Sequence, residues 1–122
     1  MNLKVSHAIY KKDLLLQYQE QKQKKRQLQE AALHEAQRLA LILVEQFGIE
    51  RVYLVGPLAY EKFTADMKLE LALEGIPPGV YASALGYLKQ LSSFEPDLID
   101  LQCTDPWAKR SLKEKGRLLA KK

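Results

Sequence analysis

A single cysteine, Cys103, in 122 residues excludes an internal disulfide, and with it the class of small scaffolds held together by cross-links. Cys103 follows a strand-like run without Cys or His neighbours, so it is expected as a buried structural thiol. The two histidines, His7 and His34, are far apart and in no ligand spacing, which argues against zinc. No run approaches the ~18 apolar residues that a bilayer-spanning helix needs. The opening residues MNLKVSHAIYKKD have neither a continuous apolar stretch nor a small-residue cleavage site, so no secretory signal is expected. These absences together predict a cytoplasmic protein without a membrane partner. Glycine and proline are missing from Lys11 to Gln46, so nothing in that stretch breaks a helix.

What is present suits one domain, residues 1–122, since 47% of the chain is hydrophobic and the length is that of a single core. The net charge of +4 is unevenly spread. Residues 1–48 carry eight Lys/Arg against five Asp/Glu, residues 49–105 four against nine, and residues 106–122 seven against one. A basic tail suits a nucleic acid or a triphosphate. It equally suits the solvated face of a last helix whose cations complement its C-terminal end. Only Trp107 accompanies the cations from Lys109 to Lys122, and without interleaved aromatics there is no stacking platform for nucleic acid.

In chain order, residues 1–10 are mixed and read as a loose N-terminus. Residues 11–47 read as one long helix with an apolar stripe at Leu28, Ala32, Ala36, Leu39, Ala40, Leu43 and Phe47, the spacing of one helical face. Its first half is different. Leu14, Leu15, Leu16 and Tyr18 precede Gln19–Gln27, which contains no apolar residue. Such a segment either projects with a sticky tip or folds back on its own domain. A projecting tip leaves apolar surface wet and predicts a homodimer or a helical partner bound through the N-terminal helix. Gly48 ends the helix, and residues 48–122 form the core. Within it Glu50–Val55 is a first strand, Met67–Leu73 a second, Pro78–Leu91 a helix with Tyr81, Leu85, Leu88 and Leu91 inward, and Asp97–Gln102 a third strand. Thr104 or Asp105 caps a last helix that opens at Pro106, carries Trp107, Leu112, Leu118 and Leu119 on its apolar side and runs through Gly116. The order predicts an α/β (α+β) fold, a small mixed sheet with helices packed against it.

The stretch Val55–Glu74, VGPLAYEKFTADMKLELALE, carries the chemistry. A Gly turn leads through a loop to a strand with polar residues at i and i+2, side by side on one face, where two carboxylates can share a divalent metal. The stretch resembles the signature of the minimal nucleotidyltransferase family, relatives of the DNA polymerase beta fold: a Gly-Ser turn after one strand, then Asp-x-Asp on the next. Gly56 matches the Gly and Pro57 stands at the Ser. Leu58-Ala59-Tyr60 and Lys62-Phe63-Thr64 fit the continuation and loop. Lys68 stands at the first Asp, Glu70 at the second, and Asp97 fits a third carboxylate on a later strand. The resemblance spans roughly residues 47–119.

The resemblance implies a nucleotide at Gly56, Pro57, Tyr60 and Lys62, and magnesium at Glu70 and Asp97. Gly56 permits close approach of a phosphate. Pro57, however, removes both a hydroxyl and a backbone donor, and Lys68 puts a cation at a metal-ligand position. Lys68 and Glu70 therefore read either as an ion pair on a solvated face or as a site in which Lys68 replaces the metal and meets a phosphate directly. Asp97 and Asp100 also read as polar strand-end residues. The resemblance implies that Lys68, Glu70 and Asp97 stand at remnant catalytic positions. The expectation is a non-catalytic binding or interaction module, such as the antitoxin half of a pair with a small all-helical HEPN partner. The alternative is an active enzyme that uses Mg²⁺ and NTP to move NMP to a protein or small-molecule hydroxyl.

Overall fold

The structure, a computed structural model, describes the backbone of residues 3–122 and the side chains of residues 11–122. Helix α1 spans Leu3–Phe47. The segment expected as a loose N-terminus is thus helical from Leu3, and residues 1 and 2 lie outside the described residues. Strand β1 (Arg51–Leu54) follows, then a single 3-10 turn (Pro57–Tyr60), β2 (Leu69–Glu74), helix α2 (Tyr81–Leu91), β3 (Pro96–Asp100), a second short 3-10 turn (Leu101–Cys103), helix α3 (Pro106–Lys115) and β4 (Arg117–Lys121). The four strands lie in the order β3-β2-β1-β4. β1 is antiparallel to both β2 and β4, while β2 and β3 are parallel, joined by the α2 crossover. No helix among the described residues is long and apolar enough to cross a membrane.

Helix α1 packs on one face of this sheet because its stripe is small. Ala32, Ala36, Leu39, Ala40 and Leu43 are fully buried, with Leu28 and Phe47 packed at the edges. They meet Val52 and Leu54 of β1, Leu69, Leu71 and Leu73 of β2, and Leu98 of β3, all in the same cluster. The period of 3.6 on the helix and of 2 on the strands here serve one interface. At the helix end, Gly48 takes φ 70 and the Ile49 N–H reaches back to the Leu43 carbonyl at 3.2 Å, a glycine-terminated cap. From α2 only Ala84 and Leu88 are fully buried, whereas Tyr81 and Leu91, expected inward, are exposed. The opposite face of the sheet carries a smaller cluster of Tyr53, Val55, Ala72 and Leu101, with Leu112 of α3 against it.

Two expectations about the C-terminus are corrected. The last helix stops at Lys115, and Arg117–Lys121 is a strand that pairs with the outer edge of β1. Gly116 is the hinge: a Cβ there would lie 2.6 Å from the Leu112 carbonyl oxygen and 3.0 Å from that of Leu54, so only glycine admits so close a pass of the chain. Trp107 is 76% exposed and Leu118 49%, so neither belongs to the apolar side assigned to them. Cys103, expected buried, is exposed on its 3-10 turn with its thiol 3.4 Å from Asp100 Oδ2.

The first half of α1 leaves the domain. Every described residue from Lys11 to Gln27 is exposed, Leu14, Leu15, Leu16 and Tyr18 included. The helix is unbroken, so it does not fold back. At 1.5 Å per residue the arm is about 25 Å long.

Candidate functional site

The turn after β1 is built by Gly56, which takes φ 76 and ψ −163 and precedes Pro57 at the start of the 3-10 turn. Pro57 is well placed for that turn, having a preset φ and no N–H to satisfy. The Ala59 N–H donates to the Gly56 carbonyl at 3.1 Å and the Lys62 N–H to that of Pro57 at 2.9 Å. The loop that follows is fixed to α1 by one side chain. Gln29 Nε2 donates to the Phe63 carbonyl at 2.6 Å while Gln29 Oε1 accepts from the Phe63 N–H at 2.9 Å. Beyond it, Thr64 hydrogen-bonds the Asp66 carboxylate.

Glu70 lies directly beneath this turn. Its carbonyl accepts from the Val55 N–H at 3.2 Å, and its carboxylate packs against Gly56, where an added Cβ would overlap it. Residue 56 is therefore glycine for two reasons, its positive φ and the space that Glu70 takes. On the neighbouring parallel strand, Asp97 stands in register with Glu70. Both project from the face opposite α1, because Leu69, Leu71 and Leu98 occupy the α1 side. Burial first, and the Asp97 charge second, push the Glu70 carboxyl above its ordinary range, since each disfavours the ionised form.

Lys68 is not where the alternation of the sequence puts it. β2 begins at Leu69, so Lys68 precedes the strand and its amine lies 3.9 Å from Glu95 Oε1, with both side chains more than half exposed. The expected ion pair with Glu70 does not form: among the described residues Glu70 has no cation within 4.0 Å. Tyr60 and Lys62 are exposed on the turn and just after it. Gly56, Pro57 and Glu70 are thus brought together with Asp97, while Lys68 turns away. No cluster of three His, Cys, Asp or Glu side chains suited to a metal occurs among the described residues.

One polar constellation went unseen in the sequence. Glu74 receives Arg51 Nη1 at 2.8 Å and Lys113 Nζ at 2.8 Å, and that amine also stands 6.0 Å above the Tyr53 ring. Lys113 and then Arg51 hold the Glu74 carboxyl below its ordinary range. The three residues pin α3 to the sheet. Their only trace in the sequence is that Arg51 and Glu74 bound the two strands of a hairpin-like pair.

No protein-family model matches the chain, and no curated protein matches it. Similar solved structures include two of toxin-antitoxin proteins. One is described as "Crystal structure of the toxin-antitoxin with AMP-PNP"; it superposes with a TM-score of 0.60 at 13% identity, covering 70% of this chain and 73% of that one. The other is the toxin-antitoxin MntA-HpeT, in a mutant where two aspartates two positions apart are glutamates; its TM-score is 0.57 at 14% identity, over 70% of this chain and 73% of that one.

The Glu70 environment predicts a pH signature. Its folded pKa is raised, so the folded state binds the proton more tightly than the unfolded chain, and ionised Glu70 costs stability above the folded pKa. That cost disappears as pH falls below the ordinary carboxylate range. Glu70→Gln should melt several degrees higher than the parent at pH 7–8, with the gain closing towards zero by about pH 4. The lowered Glu35 and Glu74 lose their stabilisation on acidification in both proteins and cancel in the comparison. A gain that is absent at neutral pH, or one that persists in acid, would show that the Glu70 carboxylate is not strained there. The likeness to these two structures shows a shared fold over 70% of the chain: a mixed four-stranded sheet with a long N-terminal helix, the nucleotidyltransferase fold.

Proposed function

We propose that this chain is a nucleotidyltransferase-fold protein whose metal and nucleotide site is degenerate, and that it works as a non-catalytic interaction module, the antitoxin half of a pair with a small all-helical HEPN partner in the cytoplasm. One observation carries the reading: the donor set does not fit the magnesium centre of nucleotidyl transfer. Such transfer needs carboxylates that hold one or two metal ions between the triphosphate and the attacking hydroxyl. Here Asp97 is in register with Glu70 and no third ligand joins them among the described residues, the Glu70 carboxylate is packed against the turn where a phosphate would approach, and the next candidate position is the outward-facing Lys68. Pro57 supplies neither a hydroxyl nor an N–H to that turn. Two similar solved structures are of toxin-antitoxin proteins, which supports a protein partner for this chain too.

The active-enzyme reading is favoured by two facts, the in-register Glu70–Asp97 pair and the AMP-PNP in one similar structure. A transfer assay separates the two. With Mg²⁺ or Mn²⁺ and labelled NTPs, incorporation of NMP into the chain or a helical partner should stay at background. Incorporation that disappears in Glu70→Ala would establish the enzyme instead.

The arm is the proposed contact surface. Its apolar tip at Leu14, Leu15, Leu16 and Tyr18 is about half exposed at each residue, and apolar surface left in water costs ~25 cal/mol per Å². A second copy of the chain, with the arms crossing antiparallel, covers both tips in one isologous contact. Light scattering should therefore give a dimer for the full chain and a monomer for a chain without residues 1–20. A monomer in both cases, with equal melting temperatures, would remove the arm as an assembly element.

A further inference from the structure

At the root of the arm, on the sheet face away from Glu70 and Asp97, lies a groove of about 480 Å³. Lys22, Lys25, Arg26 and Gln29 of α1 form one wall, and their spacing of three and four residues places them on a single helical face. Arg117 of β4 faces them. It stands opposite Leu54, whose side chain belongs to the α1-side cluster, so Arg117 projects on the α1 side of the sheet. Leu33 and Leu58 line the same groove, as do Glu30 and Glu61.

The groove gathers four cations against two carboxylates. Arg38, Arg51, Lys68 and Lys113 each have a carboxylate within 4.0 Å. Among the described residues, none of Lys22, Lys25, Arg26 and Arg117 has one, although Glu30 and Glu61 line the same space. Four cations converging from two elements, with no internal anion on them, form a receptor for an external one. The two arginines offer planar forks suited to phosphate oxygens, and the two lysines add point charges.

We infer that this groove binds a small molecule carrying two or more linked phosphate groups. Lys22, Lys25, Arg26 and Arg117 take the phosphates, and Glu30 and Glu61 accept from hydroxyls on the rest of the ligand. The volume is that of a small-molecule site. No aromatic ring lines it, so it has no platform for stacked bases and does not suit single-stranded nucleic acid. Leu58 and Glu61 come from the Gly56 turn and its end, so an occupant here also touches the segment that covers Glu70 from the other side.

Inorganic tripolyphosphate is the probe, titrated calorimetrically into the full chain at low salt. The parent should bind one equivalent. Lys25→Glu with Arg26→Glu, both on an exposed helix surface, should weaken binding at least tenfold with an unchanged melting profile. Arg117→Gln should weaken it severalfold, and Lys11→Glu with Lys12→Glu, farther out on the same arm, should change it by less than twofold. Equal losses from the outer and the groove variants would reduce the effect to general arm charge and overturn the inference. Absence of binding at millimolar probe would overturn it too, as would binding confined to an RNA oligomer with none to tripolyphosphate.

Discussion

The burial of the α1 stripe and the leucine face of β2 in one core sets the terms for the rest of the molecule. Ala32, Ala36 and Ala40 share one core cluster with Leu69, Leu71 and Leu73, and all six side chains are fully buried. A buried leucine is worth about 1.5–3 kcal/mol over an exposed one, so three of them on one strand fix which face of β2 turns inward. A slip of one residue would exchange every side chain between the faces. Because the leucines face α1, Glu70 has to point to the other side, next to Asp97 and under Gly56. The same docking holds the inner half of α1 and leaves its outer half, which has no stripe, to project as the arm.

The two glutamates that β2 turns away from α1 differ in how well their charges are satisfied. Glu74 between Arg51 and Lys113 is an economical structural link, three residues joining β1, β2 and α3. Glu70 has the reverse arrangement, a carboxylate pressed against backbone with another acid for its neighbour. A carboxylate kept in such a position works against the fold, as perturbed acids at functional sites commonly do. On the α1 side, the unpaired cations at the arm root are the mirror case. The Gly56 turn lies between the two, its Leu58 facing α1 and its glycine resting on Glu70.

Much of this was legible in the sequence, for definite reasons. The stripe of α1 and the alternation of β2 are strong periodic signals, and Gly48 and Gly56 are where a positive φ is needed. The end of the chain was not legible. Leu118, Leu119, Ala120 and Lys121 are good helix formers, and they are a strand because β1 offers a free edge, which is tertiary context overriding local preference. Reading Gly116 as a tolerated helix residue hid Arg117, and without Arg117 the cations of the arm looked like a merely polar surface. The alternation pattern runs through Lys68, but pairing starts at Leu69, so Lys68 stands outside the strand with its amine towards Glu95. The exposure of Cys103 follows from its 3-10 turn, which no apolar pattern foretold.

On the proposed reading, Glu70 and Asp97 do not make a metal centre. Its most direct test is a calorimetric titration of the full chain with Mn²⁺, with and without a non-hydrolysable nucleotide. No saturable binding below millimolar Mn²⁺ is expected in either case. Stoichiometric binding at micromolar Mn²⁺ that is lost in Asp97→Asn would contradict it and return the site to catalysis.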